Sequence, residues 1–563
     1  MSRLGTANGD ARIEGAAPRA PFLLGVGASI AFVYTLWLMV AWPAGDFPLN
    51  DDWAYAWSVR HFLETGELRI SEWASAAALL QVYWGALFAK LAGGFSFEAL
   101  RVSTLVFSVA SPVALCWLLR RLGVGRSAAA LAAVTLLANP IFVNLSYTFM
   151  TDVFYLGLML VGLALYVGGI ERNSASALWA ASAVAAAAFL CRQLGLALPL
   201  AAAVVLVARH RSAAFRPVLQ ATLVPLAVFA GYTLWLTFVH GTTWGFELQV
   251  LQNSLPNLVR PSAPRVLTLR LIYAWLYLGL FSLPVLVAVL VSAPLDADRV
   301  RRLRVPFACW ALLCIAATWY TQDRIGLPMP YLPGVITRDG IGGVTIAGLK
   351  PRVTPDWVFA LVGAVAPVAG AAIAALWTEA LLHARRELAG RGAVVLLAAL
   401  IMAAPTAPMV SLWDEYLLVF LPASPYLALR HATLSSRGVA AGALVCAAML
   451  AYALPEQAET LAWNDARWKL GRELVATGAS PQQINGGFEW VGWYDFETAL
   501  PLSIAAGHRD DLFHWASVLP DRYFMAFQPL GVDGGRSAVA GVVPYRTRFG
   551  PGGAIYALEG AAP

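Results

Sequence analysis

Apolar stretches of about 18 or more residues recur along most of this 563-residue chain, and the short segments between them alternate in charge. A hydrocarbon core about 30 Å thick takes about 20 helical residues to cross, and backbone inside it must find its hydrogen bonds within the protein. Helices that span a membrane are therefore the predicted fold. The apolar stretches fall at roughly 22–43, 100–119, 127–145, 153–170, 176–191, 194–208, 217–239, 268–292, 305–319, 357–381, 393–409, 413–429 and 438–454, about thirteen spans. Composition agrees, with 59% hydrophobic and 13% charged residues against about 25% charged in soluble domains, and a mean hydropathy of +0.65.

Every second loop is short and arginine-rich: Arg120, Arg121 and Arg126; Arg172; Arg209, Arg211 and Arg216; Arg299 to Arg304; Arg385, Arg386 and Arg391; Arg430 and Arg437. The positive-inside rule assigns these loops, and an N-terminal tail over 1–21 with Arg3, Arg12 and Arg19, to the cytoplasm. The same placement accounts for the net charge of +6 and argues against a nucleic-acid partner, because the basic residues mark topology and form no single face. The span from Pro21 to Trp42 is too long for a typical cleaved signal core and is read as a signal anchor. Over 176–208 two short spans around Cys191-Arg192-Gln193 compete with one long tilted helix.

Three divisions are expected: the tail 1–21; a multi-pass unit 22–455, with a long first outer loop 44–99 and a flexible outer loop 320–356; and an extracytoplasmic α+β unit 456–563. In the last unit Trp463–Thr477 has helical periodicity, while 522–528, 538–543 and 555–558 have strand character. Five cysteines sit in or beside apolar spans without a CxxC spacing, so neither a disulfide framework nor a zinc site is expected.

The loops opposite the arginines hold the acids. Asp51-Asp52 follows the first span and is flanked by Trp53, Tyr55 and Trp57, which suggests an aromatic-walled sugar pocket; capping of the following helix is the plainer reading, and the two are compatible. Asp152 opens the fourth span, where Thr151 and Asp152 either cap the helix or face the first acidic pair. Arg192-Gln193 is either a snorkelling cation or a phosphate ligand with an amide beside it. Arg338, Lys350 and Arg352 are loop cations suited to a phosphate, and Asp414-Glu415 opens the twelfth span. His61 and His240 stand alone, and no nucleotide-binding loop or serine elbow is present.

The pair Asp51-Asp52 with Tyr55 and Glu64-Thr65-Gly66-Glu67-Leu68, the segment Phe97 to Ser103, Leu118-Leu119-Arg120-Arg121-Leu122-Gly123, and Asn139-Pro140 leading to Asp152 together resemble the GT-C glycosyltransferases. Specifically, they resemble the bacterial family 39-like group related to protein O-mannosyltransferases and the lipid A aminoarabinose transferase. The chain departs from that pattern at Trp73-Ala74-Ser75, where relatives carry Lys-Pro-Pro, and at Glu415, where many have Arg.

The resemblance implies an all-α polytopic membrane protein with a small C-terminal α+β unit. It implies transfer of a sugar from a polyprenyl-phosphate donor to a lipid, glycan or protein acceptor, by inversion, at the outer face of a bacterial inner membrane. Asp51 or Asp52 would be the general base, Asp51 for preference. Asp152 would position it or, with both, hold an optional divalent cation; no other cofactor is required. Arg192, Arg338, Lys350 and Arg352 would meet the donor phosphate, and Trp53, Tyr55, Trp57, Gln193, Asp414 and Glu415 would line the sugar and acceptor pocket. A lipid transporter or flippase, or a silent lipid-binding partner, is the alternative.

Overall fold

The structure is a computed structural model that describes residues 20–252, 258–292, 297–409, 411–532, 535–536 and 538–560. The N-terminal arginines of the expected cytoplasmic tail lie outside the described residues. Helices dominate, in the order α1 Ala20–Val40, α2 Asp52–Thr65, α3 Leu79–Leu91, α4 Phe97–Arg121, α5 Arg126–Leu137, α6 Pro140–Ser146, α7 Thr151–Glu171, α8 Ala175–Cys191, α9 Ala197–His210 and α10 Phe215–Trp235. The series continues with α11 Ala263–Phe281, α12 Leu283–Ser292, α13 Ala297–Ile325, α14 Asp356–Leu382, α15 Ala393–Thr406, α16 Ala423–Leu429, α17 Ser436–Ala476 and α18 Phe488–Ala505.

This is a polytopic membrane protein. Among the described residues eight helices are long and apolar enough to cross a membrane, or up to ten when two bent pairs each count as one span. The bends have local causes. Between α5 and α6 the chain turns by 61°, where Asn139 accepts the Ile141 and Phe142 N–H groups and Pro140 starts the new helix. Between α11 and α12 it turns by 62° at Ser282, with Pro284 in the first turn beyond.

The segment expected as a twelfth span, 413–429, is no regular helix. It runs as a 3₁₀ stretch Asp414–Phe420, breaks at Pro422, and ends as the seven-residue helix α16. Nearly all of it is buried against other helices. Irregular backbone is tolerated at membrane depth when protein surrounds it. The pair around Arg192 is two helices, α8 and α9, with a 3₁₀ turn between them.

Helix α17 carries the last span straight into the C-terminal region, running 41 residues without a break. Beyond it, a four-stranded sheet of β3 Ile484–Asn485, β4 Tyr523–Ala526, β7 Val539–Tyr545 and β8 Gly553–Glu559 has the order β3-β4-β8-β7. Strands β5 Gly531–Val532 and β6 Gly535–Arg536 form a separate hairpin. Pairing of β3 with β4 is parallel and the other two pairings are antiparallel.

The loops sort to two ends. At one, Arg209 meets Glu171 at 2.7 Å and the carbonyl of Gly390, Arg391 meets Glu171 at 3.4 Å, and Arg430 meets Glu387 at 2.7 Å. At the other, the acid-bearing loops converge on one cavity.

Candidate active site

The cavity holds about 220 Å³ and is built from distant segments. Asp51 comes from the start of α2, Arg192 from the α8–α9 turn, Gly334 to Thr345 from the loop after α13, Glu415 and Tyr416 from the 3₁₀ stretch, and Glu489 from α18.

The chain enters α2 through Asn50, whose φ of +54° is a left-handed conformation that Asn tolerates better than most residues. This reversal separates the two acids. Asp51 occupies the N-cap position, yet its side chain makes no capping bond; Trp73 Nε1–H donates to it at 2.9 Å instead, and the carboxylate lines the cavity. Asp52 is fully buried and accepts the N–H groups of Leu49 and Phe149 at 2.7 and 3.2 Å. It ties the first outer loop to the start of α7. Buried Arg101 backs it and donates to the carbonyls of Ala44, Gly45 and Phe47.

The surroundings also separate their acidities. Burial raises the Asp51 carboxyl to about 6; the Trp73 bond opposes the rise, Glu489 and Asp152 add to it, and Arg192 lowers it. Burial raises Asp52 to about 8 against the pull of Arg101 and the two backbone bonds. Near neutral pH Asp51 is therefore the member of the pair that is ionised and reachable.

Asp152 faces Arg192 at 2.6 Å, with side chains 3% and 13% exposed, so this is an enclosed ion pair. It makes no capping bond on α7. The Arg192 guanidinium also lies 5.4 Å from the Tyr416 ring centroid. Glu415 lines the same cavity, and its Oε2 is buried without a hydrogen bond. Tyr55 lines the cavity too.

Several expected site residues lie elsewhere. Trp53 is packed inside an aromatic cluster with Trp73, Phe496 and Trp515, and Trp57 stacks on His61 at 5.1 Å. In a helix, neighbouring residues face different directions, so only Tyr55 of the three aromatics reaches the cavity. Gln193 donates to the Ser75 carbonyl at 3.1 Å and lines an adjacent apolar cavity. Asp414 is buried as a backbone anchor, accepting the N–H groups of Val335 and Ile336 at 2.8 and 2.9 Å.

The three loop cations expected at the donor phosphate do not line the cavity. Arg338 is exposed in the turn between β1 Ile336–Thr337 and β2 Gly340–Ile341. Lys350 is buried against Glu459 at 2.6 Å and Glu456 at 3.9 Å, while Arg352 pairs with Asp339 and Asp356 at 3.2 and 2.9 Å. Lys350 thus holds the 326–355 loop to α17, and Arg352 holds it to itself and to the start of α14. Nor are Asp51, Asp52 and Asp152 grouped as a metal cage: one oxygen of Asp51 meets an indole, both of Asp52 meet amides, and one of Asp152 meets a guanidinium while its other has no hydrogen bond. Among the described residues no group of three or more His, Cys, Asp or Glu side chains is placed to hold a metal ion.

Glu489 is the residue that sequence reasoning left without a role. It accepts the Asn50 N–H at 3.3 Å, the Thr345 hydroxyl at 2.8 Å and the buried Arg467 guanidinium at 2.9 Å. It thus joins α18, α17, the 326–355 loop and the approach to Asp51. The available signal was an acid beside Gly486-Gly487 in an aromatic-rich segment. At Gly487 φ is +89°, and a Cβ there would lie 2.7 Å from the Thr345 hydroxyl oxygen.

Residues 77–235 match the family model of dolichyl-phosphate-mannose-protein mannosyltransferases. The GT-C resemblance stands on that match. It includes Asp152 and Arg192 and leaves Asp51, Glu415 and Glu489 outside. No curated protein matches the sequence. Among solved structures, the chain is similar to ArnT from Cupriavidus metallidurans bound to undecaprenyl phosphate, at 15% identity over 96% of this chain and 98% of that one, with a TM-score of 0.40. It is also similar to the oligosaccharyltransferase AglB from Archaeoglobus fulgidus in complex with an inhibitory peptide and a dolichol-phosphate, at 13% identity over 90% and 69% of the two chains, with a TM-score of 0.45.

Proposed function

We propose that the protein is a membrane glycosyltransferase that moves a sugar from a polyprenyl-phosphate donor to an acceptor hydroxyl at the outer face of a bacterial inner membrane. The observation that carries this reading is that two unlike cavities lie side by side, with Ser75 lining both. The charged one presents Asp51, Arg192 and Glu415, and an apolar one of about 360 Å³ adjoins it at Ser75, lined by Phe189, Phe229, Tyr232, Trp235 and Val250 among others. A donor with a lipid chain, a phosphate and a sugar needs that sequence of surroundings.

In this reading the polyprenyl chain lies in the apolar cavity and the phosphate meets Arg192. Asp51 takes the proton of the acceptor hydroxyl as its oxygen bonds to the anomeric carbon. The bond from that carbon to the phosphate oxygen breaks, and the electron pair leaves on the polyprenyl phosphate. Displacement from the face opposite the phosphate inverts the anomeric centre. Arg192 stabilises the charge on the departing phosphate, and Asp152 holds the guanidinium in place. Asp52 organises the loop and does not touch the reacting atoms.

The test is transfer of radiolabelled sugar from a panel of polyprenyl-phosphate donors by purified protein in liposomes. Wild-type transfer that falls by about 10²-fold or more in Asp51→Asn, and falls in Arg192→Gln, supports the reading. Full transfer by Asp51→Asn removes the base assignment. Movement of an intact labelled lipid between leaflets, with no transfer from any donor, replaces the enzyme with a transporter.

A further inference from the structure

A second charged cavity, of about 750 Å³, opens at the end of the bundle opposite Asp51. The same elements reach both. Helix α13 starts beside Arg299 and Arg302 and runs toward the loop holding Gly334; α15 starts after Arg391 and leads to Met409; the 3₁₀ stretch leaves Glu415 and its continuation ends at Arg430. With a rise of about 1.5 Å per residue, the 29 residues of α13 extend about 43 Å, so the two cavities are a membrane thickness apart.

The lining is cationic, with Arg299, Arg302, Arg386, Arg391 and Arg430 against two acids, Glu379 and Glu387. Glu387 takes Arg430 with both oxygens at 2.7 Å, and Glu379 takes Arg302 through Oε1 at 3.2 Å while its Oε2 lies 4.0 Å from Arg430 without a hydrogen bond, so five arginines face two acids that are engaged in whole or in part. Arg386 is exposed and makes no ion pair among the described residues, while Arg391 reaches only as far as Glu171, at 3.4 Å.

Topology alone asks for hydrated arginines at loop surfaces. Here the Arg430 side chain is 9% exposed, and its Nε is buried without an acceptor. Glu387 meets part of this guanidinium, and an anion entering the cavity can supply acceptors to the donors of the arginines that Glu387 leaves unmet. Leu122 and Val289 add apolar wall beside the arginines. A cavity with arginines on one side and aliphatic surface on the other matches a lipid with an anionic head.

We propose that this cavity binds the phosphate of an anionic membrane lipid from the leaflet opposite the acidic site, among Arg386, Arg391 and Arg430. The inference uses the membrane-spanning fold and does not depend on the glycosyltransferase reading. Basic recesses between helices at the cytoplasmic side are suited to such head groups, and guanidinium suits phosphate through its paired donors.

The experiment uses the full chain in nanodiscs of phosphatidylcholine, with and without phosphatidylglycerol. Tm and lipid retained on native mass spectrometry are read for wild type, Arg386→Gln/Arg391→Gln, and Arg211→Gln/Arg216→Gln as a control on another arginine loop. Phosphatidylglycerol is expected to raise Tm of wild type and control, with one lipid retained at about tenfold or more tighter apparent affinity than in the Arg386/Arg391 variant, a difference of about 1.4 kcal/mol. Should that variant fold poorly in phosphatidylcholine alone, Arg386→Lys/Arg391→Lys takes its place, with part of the affinity kept. Equal retention by wild type and a folded variant overturns the site. Inorganic phosphate or glycerol phosphate that protects as well as the lipid does, in phosphatidylcholine discs, overturns the lipid as occupant.

Discussion

At Asp51 one indole N–H holds the carboxylate at the edge of a cavity, so its protonation decides whether an acceptor hydroxyl can lose a proton there. A general base works only when ionised, and burial has raised this carboxyl to about 6. Transfer is therefore expected to climb with pH through about 6 and level off above it, in kcat/KM measured on protein stable across the range; an acid limb absent from wild type removes Asp51 from the role. The Glu489 charge contributes to the raised value. Replacing it in Glu489→Gln removes a negative charge and leaves the Arg467 cation unopposed, and both changes favour the ionised form of Asp51. The limb is expected to move to lower pH in that variant. A limb that stays in place while stability falls would make Glu489 a packing residue alone. Asp51, Asp152 and Arg192 were legible because each interrupts apolar sequence at a span end. Glu489 was not, because its partner Asn50 lies 439 positions away and no local pattern announces such a contact.

Elements explain why two of the loop cations, Lys350 and Arg352, are tied into the fold. The 326–355 loop is held at many places: Asp414 takes two of its amides, Thr460 donates to the Ile341 carbonyl at 2.6 Å, Thr345 donates to Glu489, and Lys350 reaches Glu459 on α17. From sequence, three cations in a Gly- and Pro-rich loop look alike, and only the acids of α17 separate the buried lysine from the exposed arginine. Lys350→Met leaves Glu456 and Glu459 buried without their cation, a change that costs about 3–5 kcal/mol for pairs of this kind. The expected result is a clearly lower Tm, with unchanged affinity for polyprenyl phosphate in the protein that remains folded. Weakened lipid binding at wild-type Tm would return Lys350 to the donor site. Backbone closeness gives a second case at this scale. At Gly334, with φ of +138°, a Cβ would lie 2.1 Å from Asp414 Oδ1. Gly334→Ala is therefore expected to lower Tm by displacing the Asp414 anchor, read by thermal melting, whereas Gly94→Ala, with nothing within 4 Å of the added carbon, serves as the neutral comparison.

For the whole molecule, hydropathy carried most of the fold because lipid imposes one rule on every span, and the rule acts on length and polarity alone. It failed at 413–429, where apolar residues suggest one helix but the chain breaks at Pro422, and the surrounding protein tolerates the irregular backbone. The alternating loops have a consequence that can be measured. Arg338 and Arg386 are both exposed, the first in the β1–β2 turn of a loop that lines the acidic cavity and the second on the opposite cavity. If the arginine end faces the cytoplasm, their cysteine variants differ in access. Cys309 is exposed and the other four cysteines are buried, so Cys309→Ser provides the background. An impermeant maleimide added to intact spheroplasts is expected to label Arg338→Cys at once and to label Arg386→Cys only after the membrane is permeabilised. Labelling in the reverse order would turn the protein over and place Asp51 in the cytoplasm, where a polyprenyl-phosphate sugar would have to be consumed at the inner leaflet. Equal labelling of both without permeabilisation would mean that the two loops share one side, and α14, the one span between them, would then not cross the membrane.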